Sequence, residues 1–228
     1  MKLNRAAPLS GIAFVVFFVA SVGASSVPSA TASDRSWVAA YTGHGEQARH
    51  LATGILLVLA GLSLITFMTH LWMRVVAARR PEPVSPLPIV ASGVASACIA
   101  VGGILMASIS GSALIGSAPI PSAELLRFGN DAGFGMAGIA GMLAAALSIS
   151  SMSVQARSAG VFSRRMSRFS LVVAVVLLGS AAFVPIVALL IWLVVVAVAL
   201  VRSSPVGASP ASSTDSNPAG ATSLPARA

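Results

Sequence analysis

The chain has 228 residues, of which 56% are hydrophobic and 9% charged, and its mean hydropathy is +0.91. A soluble domain carries about 25% charged residues, so an ordinary water-soluble globule is excluded. The net charge of +8 is spread in short runs between apolar segments. That pattern suits membrane orientation signals and argues against a nucleic-acid-binding face.

The expected fold class is all-α: a polytopic transmembrane helix bundle over residues 9–202. Residues 1–8 are expected as a cytoplasmic N-terminus. Residues 203–228 are expected as a disordered cytoplasmic tail, because Ser, Pro, Ala, Gly and Thr give them no apolar face to bury. About six spans are expected, five if the first is removed. The run Leu9 to Ala20 follows Lys2 and Arg5 and reads as a retained first span ending near Val27. The competing reading is a signal peptide cleaved after Val22-Gly23-Ala24 or Ala30-Thr31-Ala32.

The residues from Ala24 to Ser36 read as loose, and Trp37 and Tyr41 as anchors at the membrane interface. Leu51 to Met73 is a clear span, closed by Trp72, Arg74, Arg79 and Arg80. Pro81 to Pro88 is a stiff linker, since proline donates no backbone hydrogen bond and disfavours helix in the residue before it. The next span runs from Ile89 to about Leu114. Its residues Gly103, Ala107 and Gly111 recur every four positions, which makes it a natural partner for the span that follows.

That span, Leu125 to Ile149, is expected to be central. Gly129, Gly133, Ala137 and Gly141 again recur every four positions and stack on one helix face, so a neighbouring helix can approach closely. Arg164, Arg165 and Arg168 then face lipid headgroups, with Phe162, Met166 and Phe169 on another side of the same short segment, which either lies in the interface or, the favoured reading, simply starts the next span with its arginines snorkelling. The long run Phe169 to Val201 would make a helix of roughly 50 Å, too long for a ~30 Å hydrocarbon core. Gly179, Ser180 and Pro185 therefore divide it into a short hairpin, near Arg168 to Phe183 and Pro185 to Val201.

Arginine placement sets the expected orientation. Lys2, Arg5, Arg74, Arg79, Arg80, Arg157, Arg164, Arg165, Arg168 and Arg202 fall on one side; Arg35, Arg49 and Arg127 fall on the other. Both termini are then cytoplasmic, in a bacterial plasma membrane.

The N-terminal span, the outer segment Ala39-Ala40-Tyr41 with a histidine close by, the entry Leu125 to Gly135, and the closing hairpin with Trp192 carry a resemblance. Over residues 9–202 the chain resembles a group of small actinobacterial integral membrane proteins classed as domains of unknown function. The resemblance implies the six-span layout and no particular activity.

The polar residues that could act together lie on the outer side: His44, Glu46 and His50 before the second span, and Arg127, Asn130 and Asp131 around the start of the fourth. They are the candidates for a ligand or ion site, sharing one rim if their helices are neighbours. Imidazole and carboxylate suit zinc, yet the spacing matches no zinc-hydrolase pattern, and no metal or cofactor is assigned. The ordinary expectation is capping of the fourth span by Asn130 or Asp131, and an Asp131–Arg127 pair one turn apart. His70 lacks a second histidine at its depth for haem. Cys98, the single cysteine, is expected as a small buried hydrophobe. No enzyme signature is present. The expected function is a non-enzymatic membrane protein that acts through helix packing with itself, with another membrane protein and with lipid. The alternative is a small transporter or channel component using the outer polar rim.

Overall fold

The computed structural model describes residues 8–79, 82–179 and 184–202. The readings placed on Lys2, Arg5, Arg80, Pro81, Ser180 and the 203–228 tail lie outside these residues. The described chain is helical throughout its regular structure: α1 (Leu9–Ala24), α2 (Asp34–Thr42), α3 (His44–Arg79), α4 (Leu87–Gly116), α5 (Ala123–Ser158), α6 (Arg164–Leu178) and α7 (Val184–Arg202). Four of them, α3, α4, α5 and the Pro185–Arg202 part of α7, are long and apolar enough to cross a membrane. The chain is therefore a membrane-embedded all-α protein.

Local chemistry explains the boundaries. Ser33 and Ser163 cap α2 and α6 by accepting the backbone N–H of Ser36 and Met166 at 3.3 Å. Pro88 occupies the first turn of α4, where its missing N–H costs no helical bond. Ser117 ends α4 at φ 53°, and Gly160 turns the chain between α5 and α6 at φ 72°.

The packing is a closed circuit: α1 lies on α3, α3 on α4, α4 on α5, α5 on α6, α6 on α7, and α7 on α1. Around Phe67 and Trp192 the axis of this ring is filled. Phe14, Phe67, Met68, Met142, Met152 and Trp192 are all fully buried there. Trp192 meets the edge of Phe67 at 6.1 Å between centroids and donates through Nε1 to Ser170 Oγ at 2.8 Å. A buried hydroxyl pair, Ser92 and Ser148 at 2.6 Å, ties α4 to α5: one hydroxyl donates to the other, which donates to the Pro88 carbonyl that lies 2.8 Å from each. In a medium without water, such self-contained polar pairs leave no group unsatisfied.

Helix α4 touches both neighbours almost backbone to backbone. A methyl on Gly102 would lie 2.5 Å from the Gly133 carbonyl, and one on Gly103 would lie 2.8 Å from the Gly54 carbonyl. The two adjacent glycines thus serve opposite partners. The Gly103, Ala107, Gly111 series faces α3, not α5 as the sequence suggested. Gly103 meets Leu57 and Gly54, Ala107 meets Gly54, and Gly111 meets Leu51. The α5-facing positions of α4 are instead Ala95, Ile99, Gly102 and Met106, against which Gly133, Ala137 and Gly141 sit.

Several boundaries differ from the sequence expectation. α3 begins at His44 and α5 at Ala123, so both continue past their apolar stretches. Asn130 and Asp131 lie more than a turn inside α5 and cap nothing; Ser122 holds the N-cap position. The segment with Phe162, Met166 and Phe169, in contrast, is the lead-in and first turns of α6 itself, in line with the reading that it simply starts the next span. Within α5, residues Gly135–Ala140 form a π turn, a widened coil that the sequence did not suggest.

The α4 glycines give a direct test. Gly102→Val or Gly133→Val should lower the thermal unfolding midpoint in detergent by the equivalent of about 1–3 kcal/mol, the usual cost of overpacking. Gly93→Ala, at a site with nothing within 4 Å, should leave the midpoint unchanged.

Candidate functional site

The candidate residues gather at the end of the bundle where α1 finishes and α3 starts, beneath α2. Helix α2 is a cap. It packs on α3 and α5, and it turns Trp37 and Tyr41, four residues apart, onto one face. Both are 2% exposed. They are not interfacial anchors but the centre of a small separate core with Ala123 and Leu126. Aromatic rings beside an apolar span give the same sequence signal in either role. The clue that was missed is the Ser33-Asp34 helix start, with its cap bond and its acid in the first turn.

Arg127 holds the cap in place. Its guanidinium donates to Asp34 Oδ1 at 2.7 Å and to the Ala32 carbonyl at 2.9 Å. It also stands 5.6 Å from the Trp37 ring centroid, a cation–π distance. The partner is thus 93 residues away in sequence rather than Asp131 one turn on. Asp131 is exposed and takes only a 3.4 Å contact from Asn130.

The α3 candidates point in different directions. His44 is exposed. Glu46 accepts from Ser26 at 2.6 Å and from Arg49 at 3.3 Å, so it ties the segment after α1 to α3. His50 is 3% exposed and stacks flat on Tyr41, with centroids 4.2 Å apart and planes within 5°. Gln47 donates to the Tyr41 carbonyl at 2.9 Å. The two expected groups are linked through α2, which packs on both helices: its Tyr41 stacks on His50 and its Trp37 meets Arg127. Among the described residues no three His, Cys, Asp or Glu side chains are placed to hold a metal ion. His70 accepts at Nε2 from Arg74 Nε at 3.2 Å, and Arg74 also reaches the Leu200 carbonyl at 3.4 Å.

Under the cap, four buried polar atoms have no hydrogen-bond partner among the described residues: Trp37 Nε1, Gln47 Oε1, His50 Nε2 and Arg127 Nε. Ser110 Oγ on α4 is likewise buried and unpartnered. Buried polar groups are normally bonded, so this end of the molecule holds a concentration of free hydrogen-bonding capacity, with Trp72 Nε1, Ser96 Oγ and Gln155 Oε1 unpartnered elsewhere.

Two hollows flank the bundle. One is a groove of about 300 Å³ on the outside of the α3–α4 pair, lined by Gly54, Ile55, Ala107, Ser108, Gly111 and Ser112 among others. The other, of about 130 Å³, lies between α1 and the π turn of α5. No family model, no curated protein and no solved structure matches the chain.

Tyr41 is the only tyrosine, so it reports on the cap alone. Burial raises its phenol above the ordinary 10.0. The sign follows: the stability it contributes is complete below the unfolded value and is lost as pH rises through the raised folded value. Alkaline absorbance titration of the folded protein should therefore show a phenolate midpoint above 10.0. His50→Ala, which uncovers the ring, should bring the midpoint back toward that value.

Proposed function

We propose that this protein is a non-enzymatic, multi-pass subunit of the cell membrane that works by docking a transmembrane helix, from a second copy or from another membrane protein. The observation that carries this reading is the α3–α4 groove. Helix association in lipid gains little from hydrophobicity and depends on close packing, small residues and hydroxyl contacts. The groove offers these: its floor is Gly54, Ala107 and Gly111, its walls are Ile55, Leu59 and Ile104, and Ser108 and Ser112 are exposed along it. The two serines donate back to the Leu105 and Ile109 carbonyls at 2.9 Å, so each can enter lipid satisfied and still accept a bond from a neighbour. The glycines of α5 do not serve this purpose, because Gly133 and Gly141 are already covered by α4.

The transporter or channel alternative has less support. The ring axis is occupied by Phe14, Phe67, Met68 and Trp192, and the outer polar residues are divided between separate local contacts.

The six-span layout belongs to the same proposal. Phe14 is fully buried in the main core and Gly11 lies against the Phe67 ring, which favours retention of the first span over cleavage. Arg79, Arg157, Arg164 and Arg202 mark helix ends at one end of the bundle, which would be the cytoplasmic face under the positive-inside rule. Arg164, Arg165 and Arg168 would meet anionic headgroups there.

Cysteine crosslinking tests the groove. With Cys98, the only cysteine, changed to Ser, Ser108→Cys and Ser112→Cys should each give a disulfide-linked dimer or a partner adduct in native membranes. Val175→Cys, 68% exposed on α6, should not. Equal yields at all three positions would remove the proposal. Orientation is tested separately: a reporter fused after Arg202 should be active only in the cytoplasm.

A further inference from the structure

The hollow between α1 and the π turn is of a different kind from the α3–α4 groove. It is enclosed on several sides: Phe18 and Val22 of α1, Leu57 of α3, Met106 of α4, Phe134 of α5 and Ile186 of α7 form its walls. These walls are almost wholly apolar. Its volume, about 130 Å³, is close to the roughly 150 Å³ of a dry apolar cavity that takes up a benzene-sized guest. It has room for a short stretch of one hydrocarbon chain, about the size of that guest.

Three further observations define what fits. First, Val22, one of the lining residues, is 54% exposed, so the α1 wall of the cavity reaches the outer surface of the bundle that lipid would cover. Secondly, its polar edge lies toward the end of α1. Ser21 donates to the Phe18 carbonyl at 2.7 Å, and Thr53 donates to the Arg49 carbonyl at 3.0 Å, which leaves both hydroxyl oxygens able to accept. Ser25 stands beside them, with Glu46 one to two turns above Thr53. Thirdly, the inner wall is the π turn, where Gly138 presents no side chain and the Phe134 ring folds over it at 3.2–3.5 Å from where a methyl would stand. Widened turns of this type recur at functional sites.

We infer that this cavity is a binding site for one acyl chain of a membrane glycerolipid, inserted sideways between α1 and the π turn with the glycerol end at the Ser21, Ser25 and Thr53 edge. The apolar walls fix the chain, the lipid-facing α1 wall fixes the bilayer as its source, and the hydroxyl edge fixes which way the lipid points. The site is independent of the helix-docking groove, which lies on the opposite side of α4.

The test uses the full chain in vesicles of phosphatidylglycerol and phosphatidylethanolamine containing phosphatidylglycerol with a mid-chain diazirine. After irradiation, labelling should concentrate on the peptides around Phe18–Val22 and Phe134–Gly138, in excess of labelling at Val94 and Val175, which are 51% and 68% exposed. Val22→Trp should remove that excess. Ser25→Trp, at the polar edge, serves as a second blocking variant should the first fail to fold. Uniform labelling at all exposed positions, or an excess that survives both substitutions, would overturn the proposal. An excess seen with a diazirine fatty acid but not with the phospholipid would overturn the assignment to a glycerolipid.

Discussion

Everything in this fold depends on how closely α4 can lie between α3 and α5. In hydrocarbon the helices are not driven together by exclusion of water, so the contact must come from dispersion between surfaces that fit. Gly102 and Gly103 permit that contact on both sides at once. Their neighbours, Gly54 and Gly133, expose backbone carbonyls where side chains would otherwise stand. The rest follows from the resulting three-helix slab: α1 closes on α3, α6 and α7 close on α5 and α1, and the aromatic and methionine side chains fill the axis around Phe67 and Trp192. A side chain at either glycine would push apart the slab on which the other helices rest.

The α2 end of the bundle solves a different problem. There Ala123 and Leu126 of α5 would otherwise lie uncovered. Helix α2 covers them with Trp37 and Tyr41, and Arg127 fastens it through an ion pair, a carbonyl and an aromatic face. Asp34 is 76% exposed, so its pairing with Arg127 contributes on the order of 0–1 kcal/mol. The buried aromatics hold the cap more than the charges do.

What the sequence reveals here is uneven, and the reasons are physical. Hydropathy runs of twenty or more residues are unmistakable, so the all-α class and the long apolar helices of α3, α4 and α5 can be read directly. The break near Gly179 and Pro185 is readable because a single helix would be too long. Spacing alone could not say which neighbour a glycine faces, since Gly102 and Gly103 are adjacent yet serve different helices. The Asp34–Arg127 pair was out of reach because it joins residues with no local relation. The grouping of His44, Glu46, His50, Arg127, Asn130 and Asp131 presumed that α3 and α5 adjoin. In the structure α2 packs on the starts of both helices, and the polar residues are distributed among pairing, stacking and exposed positions.

The π turn carries a geometric consequence for the second half of α5. In an ideal α-helix each four-residue step overshoots a full turn by about 40°, so Gly129, Gly133, Ala137 and Gly141 would wander roughly 120° around the axis. A wider coil at Gly135–Ala140 unwinds most of that drift, which is why Gly141 still meets Ile99 and Ser148 still finds Ser92. The turn acts as a phase corrector between two halves of one rod. Tightening it to regular coiling with every residue kept would rotate everything downstream, Met152 and Arg157 included, by about 100° away from its present neighbours, whereas excising a single residue would restore regular coiling in the present phase.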